Sequence, residues 1–236
     1  MNDDVGNPQR VMVILAHPDD PEFFCGGTVG RWAKEGREII YVLATHGEGG
    51  SDDPRMTREQ LACIREEEQR AAARVLGVHE VVFLDYPDGL VIPSLDLRRD
   101  LTRQIRRWRP GVVITCDPTL RYRLHYINHP DHRAVGDAAL DAIFPDARNR
   151  LQFPDLLQEG LEPHRVREVY IAGAAEPDTE VDITDSLGRK VAALREHRSQ
   201  ISDLDGLEAR LREWHRVEGE DGRPRYVERF RRIVLG

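Results

Sequence analysis

The sequence predicts an α/β fold: a doubly wound, mostly parallel sheet with helices on both faces and a C-terminal elaboration. Short apolar runs of strand length recur at residues 11–15, 38–45, 81–84 and 112–115. Longer segments with helical spacing separate them, notably 57–76 and 95–108. Gly36, Gly77 and the pair Pro110-Gly111 punctuate the joints. At 236 residues the chain can bury a sizeable core, and no linker divides it. Residues 1–236 therefore read as a single domain, with a core over about 10–202 and an extension over about 203–236.

The first run, Val11-Met12-Val13-Ile14-Leu15, lacks polar alternation, the mark of a strand covered on both faces. After it, Cys25-Gly26-Gly27-Thr28 lets the backbone approach closely, and Thr28 is placed to cap a helix over 29–35 that Gly36 ends. Gly26, Gly27 and Gly30 miss the G-x-G-x-x-G spacing, and acidic residues stand where a pyrophosphate should lie, so a dinucleotide fingerprint is rejected. Strand 38–45 runs into a turn-rich loop, 46–54, suited to the rim of a pocket. Helix 57–76 closes at Gly77, and strand 81–84 leads to Asp85-Tyr86-Pro87-Asp88-Gly89. Helix 95–108 breaks at Pro110-Gly111, and strand 112–115 leads toward 129–132. Pro130 suits a first helical turn, so a helix opens near His132 and runs to about 143. Residues 145–165 read as a long insertion, 166–172 and 181–183 as strands, and 186–200 as a helix. The tail, 207–216 and 226–234, reads as helix or strand.

Composition narrows the function classes. A formal net charge of −8, with no basic stripe, argues against a nucleic-acid partner. No apolar run is long enough to span a bilayer, and residues 1–4 open no signal peptide, so neither a membrane partner nor export is expected. Cys25, Cys63 and Cys116 are odd in number and widely spaced, which fits reduced thiols and a cytoplasmic location.

Two clusters carry the chemistry. His17-Pro18-Asp19-Asp20-Pro21-Glu22 follows the first strand, where open α/β sheets gather their functional groups. Its carboxylates repel one another unless a cation or water sits among them. His129-Pro130-Asp131-His132 supplies distant imidazoles. Catalytic zinc usually takes three protein ligands and keeps a position for water. His17, one of Asp19 or Asp20, and His132 or His129 would fill that quota. The remaining aspartate would act as general base, and the free histidine would protonate a leaving amine or hold an oxyanion.

Residues 11–31, VMVILAHPDDPEFFCGGTVGR, resemble the opening of the LmbE/PIG-L family of zinc-dependent de-N-acetylases. The family's His-Pro-Asp-Asp-x-Glu signature stands at His17 to Glu22 and its His-Pro-Asp-His signature at His129 to His132. Arg65-Glu66-Glu67 and the segment around His197, Ser199 and Gln200 also resemble family patterns. The resemblance implies a Rossmann-like fold and a Zn2+ site of His17, Asp20 and His132, although His/Asp sites accept several divalent ions. It implies Asp19 as general base, His129 as acid or electrostatic stabiliser, Asp131 as the residue that orients His129, and Arg65 and Asp88 as substrate contacts. The implied substrate is a small acetylated amino sugar or N-acetylglucosamine glycoconjugate, and relatives often self-associate into homo-oligomers. A tyrosine that mycothiol-pathway relatives use at the oxyanion is replaced here by Ile127, with Tyr126 or His125 as substitutes.

Each residue also has a plainer role to weigh. Arg65 can pair with Glu66 or Glu68 on its helix. Asp88 in Pro87-Asp88-Gly89 is a natural turn residue. Glu22 is either a structural partner or a site residue, His197 a packed or capping histidine, and Cys25 a core thiol. The rival functions are an amidase of a larger acyl conjugate and a non-catalytic sugar- or nucleotide-binding module. The loop 46–56 and the segment 145–165 are the expected determinants of substrate.

Overall fold

A computed structural model describes residues 7–219 and 222–236; the N-terminal residues 1–4 read above lie outside it. The chain runs β1 (Asn7–Leu15), α1 (Asp20–Lys34), β2 (Glu38–Leu43), α2 (Arg58–Leu76), β3 (Glu80–Phe83), α3 (Leu95–Trp108) and β4 (Pro110–Cys116). A small hairpin, β5 (Tyr122–Arg123) and β6 (Tyr126–Ile127), precedes α4 (Pro130–Asp141), a π-helical turn (Ala142–Asp146) and α5 (Asp155–Gln158). The remainder is β7 (Glu168–Ala172), β8 (Thr179–Asp182), α6 (Leu187–Leu194), α7 (Leu207–His215), β9 (Arg216–Glu218) and β10 (Pro224–Val234).

The main sheet has the order β3-β2-β1-β4-β7-β10-β8. Pairs from β3 through β7 are parallel, whereas β10 runs antiparallel to both β7 and β8. The predicted doubly wound α/β architecture is thus present. Side chains of β1 alternate between two cores, Val11, Val13 and Leu15 on one face and Met12 and Ile14 on the other. The first core packs under α1, α2, α6 and α7, the second under α3 and α4. The chain therefore winds one way from β1 to β3 and the other way from β4 to β7. Its reversal falls between β1 and β4, where the crevice beyond the strands' carboxyl ends takes ligands in such sheets.

Helix boundaries follow local chemistry where that chemistry is strong. Thr57 Oγ1 accepts the Gln60 N–H while the Gln60 side chain accepts the Thr57 N–H, a capping box that starts α2 as read. Gly77, at φ 84°, ends it. The first helix departs from expectation. It begins at Asp20, not 29, with Pro21 in its first turn and Asp20 and Glu22 facing the helix's positive end. It bends at Cys25 (φ −147°), and Thr28 lies buried in its middle and caps nothing. The cap of the second half comes from far away: Glu228 on β10 accepts the N–H groups of Gly27 and Thr28 at 2.9 and 2.7 Å. A Cβ on Gly27 would lie 2.7 Å from the Ile183 side chain, so glycine there permits the close packing.

The other differences are smaller. Pro110 and Gly111 begin β4 instead of preceding it, and the helix read at 186–200 ends at Leu194. The tail's second half is strand. Among the described residues no helix is long and apolar enough to cross a membrane.

Candidate active site

Loops leaving β1 and β4 bring the two clusters together. His17, Asp20 and His132 each point one ligand atom into a common space, all within 4.8 Å of one another. Asp20 Oδ2 lies 3.3 Å from His17 Nδ1, and Asp20 Oδ1 lies 3.1 Å from His132 Nε2. Asp20 Oδ2 also accepts the His17 N–H at 2.9 Å, which ties the loop to the helix it starts.

The remaining ring nitrogens decide whether this set suits a cation. His132 Nδ1 is 3.1 Å from Asn128 Oδ1. His17 Nε2 is 3.1 Å from Asp88 Oδ1 and 3.4 Å from Asp131 Oδ2. Each of those nitrogens faces an oxygen acceptor and so carries its proton. The opposite nitrogen of each ring faces Asp20 and is the one that would turn its lone pair to a cation held there. That is the donor arrangement a divalent metal requires. The residues fit the implied ion.

Electrostatics agree. Burial opposes a charged His17, yet hydrogen bonds to Asp131, Asp20 and Asp88 raise its pKa well above the usual imidazole value. Burial would also raise Asp20, but His132 and His17 hold it well below the usual carboxylate range. Asp19 is buried beside Asp20, and both effects push it up to about 7, the range of a working base. Asp88 goes the other way: burial is outweighed by hydrogen bonding from His17, leaving it at about 2.

A cavity of about 420 Å³ opens on this cluster, lined by His17, Asp19, Arg58, Asp88 and His129, with Gly49 and Gly50 at its rim. The loop 46–56 is therefore at the pocket as expected. The segment 145–165 is not: it packs along α3, where Arg106 donates to the carbonyls of Asp146, Asn149 and Gln152. The hairpin β5–β6 flanks the site in its stead. Ile127 there is 83% exposed, while the Tyr126 hydroxyl turns inward and donates to Asn128 Oδ1 at 3.0 Å.

The structure adds partners to three of the expected site residues. Asp131 meets His129 Nδ1 only at 4.0 Å; its carboxylate instead accepts the Gly89 and Val91 N–H groups at 2.8 and 3.2 Å and faces His17. His129 caps α4, accepting the Asp131 N–H on Nδ1 at 3.2 Å, which leaves the proton on Nε2. Burial and the nearby His17 lower its pKa, so the neutral donor form is favoured. Arg65, expected at the substrate, lines the cavity, is only 4% exposed, and donates to Pro18 O, Gly47 O and Asp19 Oδ2. A Cβ on Gly47 (φ 68°) would strike that guanidinium at 2.4 Å, so this turn needs glycine twice over. Asp88 lines the cavity but spends its oxygens on His17 and on the Gly49 N–H.

Sequence reading missed a buried layer beneath the site. Gln69 donates to both oxygens of Glu22 at 3.1 Å and accepts the Asp19 N–H at 2.9 Å. His197 Nε2 lies 3.1 Å from Glu22 Oε2, so both residues left open above are structural partners here. The available signal was the spacing of Arg65 and Gln69, four apart on one helix face. Cys25 is a fully buried core thiol, as read.

Known proteins share this sequence pattern and fold. A diacetylchitobiose deacetylase of Thermococcus kodakarensis is 32% identical over 203 residues, covering 86% of this chain and 74% of that protein. The solved N,N'-diacetylchitobiose deacetylase of Pyrococcus horikoshii superposes with a TM-score of 0.86 at 34% identity, over 98% of this chain and 88% of that one. A 4-carboxy-2-hydroxymuconate hydratase of Pseudomonas putida shares the fold alone, with a TM-score of 0.78 at 23% identity over 96% of this chain and 97% of that one. The family described as PIG-L, GlcNAc-PI de-N-acetylase, matches residues 12–143. On its paired signatures, its fold and this match, the chain belongs to the PIG-L family of de-N-acetylases.

Proposed function

We propose that this protein is a zinc-dependent hydrolase that removes the acetyl group from an N-acetylglucosamine-type sugar or small glycoconjugate. The observation that carries the reading is the convergence of His17, Asp20 and His132, with both histidines oriented by oxygen acceptors, beside a pocket that holds Asp19 and His129. The named activities of the relatives at 32 and 34% identity support acetyl removal over the larger-acyl amidase and the non-catalytic module.

His17, Asp20 and His132 would hold the ion. When bound, it supplies Lewis-acid polarisation of the amide carbonyl and acidifies a water. Asp19, with one carboxylate oxygen on Arg65, takes the proton of the attacking water on the other. His129 Nε2–H faces the pocket to stabilise the developing oxyanion, and the proton that Asp19 has taken from the water passes to the leaving amine. Asp88 and Asp131 keep His17 in place throughout. The sugar occupies the cavity under Gly49 and Arg58.

Residues 203–236 belong to the same domain in this reading, since β10 lies between β7 and β8 and its Glu228 caps α1. Three free cysteines support a reducing, cytoplasmic setting.

The test is acetate release from N,N'-diacetylchitobiose, N-acetylglucosamine conjugates and acetylated antibiotics, with and without added zinc. Asp19→Ala should keep its metal and lose about a hundredfold or more in kcat. Full turnover by that variant sinks the assigned mechanism. A larger acid or a hydrated alkene as product, with no acetate, sinks the assigned reaction.

A further inference from the structure

Asp19 has a left-handed backbone, φ 88° and ψ −31°, which a residue with a Cβ adopts only when its surroundings hold it there. This conformation aims the carboxylate into the cavity instead of along the helix that starts one residue later. The grip lies in one helix face below. Arg65 Nη2 donates to Pro18 O at 2.6 Å, and Gln69 Oε1 accepts the Asp19 N–H at 2.9 Å. The two residues, one turn apart on α2, thus hold both polar atoms of the single peptide unit that precedes the Asp19 Cα.

The orientation of the Gln69 amide is dictated by its partners. Its NH2 faces the Glu22 carboxylate, which can only accept, and its oxygen faces an N–H, which can only donate. Glu22 is itself anchored by His197. All three side chains are fully buried, so no water can take over a lost bond. Gln69 touches neither the cavity nor the three metal donors.

We propose that Gln69 is a positioning residue for the reaction assigned above, holding the strained Pro18–Asp19 peptide so that Asp19 presents its carboxylate to the attacking water. The proposal rests on that functional reading only for its kinetic readout. Gln69→Leu removes the acceptor at nearly constant volume, and Gln69→Glu keeps an acceptor oxygen for the Asp19 N–H as a second variant should the leucine protein fail to fold.

The experiment measures kcat and KM on N,N'-diacetylchitobiose, metal content, and hydrogen exchange of the peptide spanning residues 17–22. Gln69→Leu should lower kcat ten- to a hundredfold, leave KM within threefold, keep one metal per chain, and speed exchange at Asp19 at least tenfold. Gln69→Glu should fall between it and the wild type. In an Asp19→Ala background the leucine change should cost nothing further, because the two act as one unit. Unchanged kcat, a loss explained by missing metal, or an equal further loss in the Asp19→Ala background overturns the proposal. A wild-type protein inactive on every acetylated sugar overturns the functional reading, while the exchange result still decides whether Gln69 holds the peptide.

Discussion

Asn128 Oδ1 accepts from His132 Nδ1 at 3.1 Å, one helical turn before the histidine reaches Asp20. The same oxygen accepts the Tyr126 hydroxyl at 3.0 Å, and Asn128 Nδ2 donates to Leu120 O at 2.8 Å. The amide is therefore fixed by three contacts, and with it the tautomer of His132. Asn128→Leu should weaken divalent-metal binding about 10- to 100-fold, the usual effect of removing such a partner. Competition against a chelator of known affinity measures this. Wild-type affinity in the variant would contradict the assigned role.

Proton and metal compete for His17. Hydrogen bonds from His17 to three carboxylates raise its pKa against the effect of burial, so a metal must compete with a proton there. Binding should release about one proton per ion, read by calorimetry in buffers of different ionisation enthalpy. Affinity should fall as pH is lowered, and a chelator should abolish hydrolysis more readily at pH 6 than at pH 8. Restoration on adding zinc completes the check.

The catalytic acid limb follows from Asp19. Its raised pKa, about 7, means that the base is protonated and idle on the acid side. A bound cation only lowers that value. kcat should therefore decline as pH falls below about 7 or some lower point. A rate that rises on acidification would exclude Asp19 as the base.

Glu228 and Lys190 form a fully buried pair at 2.7 Å, and Lys190 also donates to Phe23 O at 2.8 Å. Glu228→Ala strands the lysine and uncaps the second half of α1. The expected loss is about 3–5 kcal/mol, seen as a lower denaturant midpoint. Replacing both residues, Glu228→Ala with Lys190→Met, should recover part of it. Equal loss in single and double variants would show that the charge pairing is irrelevant.

His164 adds a pH-dependent term remote from the site. Its Nε2 is 2.7 Å from Pro110 O, and its Nδ1 is buried without a partner. Burial lowers its pKa to about 4. The unfolded chain therefore binds this proton first, and stability is lost as pH falls from about 6.5 toward 4. The contribution is on the order of 3 kcal/mol. His164→Gln should flatten that part of the stability profile, measured by denaturant midpoints at pH 7 and pH 4.5.

Much of this was legible beforehand because it depends on neighbours in sequence. Apolar runs marked β1 to β4, and Thr57, Gln60 and Gly77 delimited α2. The signatures at 17–22 and 129–132 named the six residues that meet at the switch point of the sheet. What escaped was decided at a distance. The continuity of α1 was hidden by a glycine pair in its middle, which reads as loop until Glu228, some 200 residues on, caps the helix's second half. The bonds Arg65 makes to Pro18 O and Gly47 O escaped because these are backbone atoms that no side-chain pattern announces. Gln69 and Glu22 carried no signal of their pairing, since the two are 47 residues apart.

The sequence by itself determined the fold class, the family resemblance and the two motifs that supply the candidate metal donors, because each follows from local periodicity or from compact motifs. Only the tertiary structure decided which nitrogen of each histidine is free, which aspartate faces the pocket, and what holds it there. Those choices depend on hydrogen-bond partners delivered by other elements, and a partner's position in space cannot be read from its position in the chain.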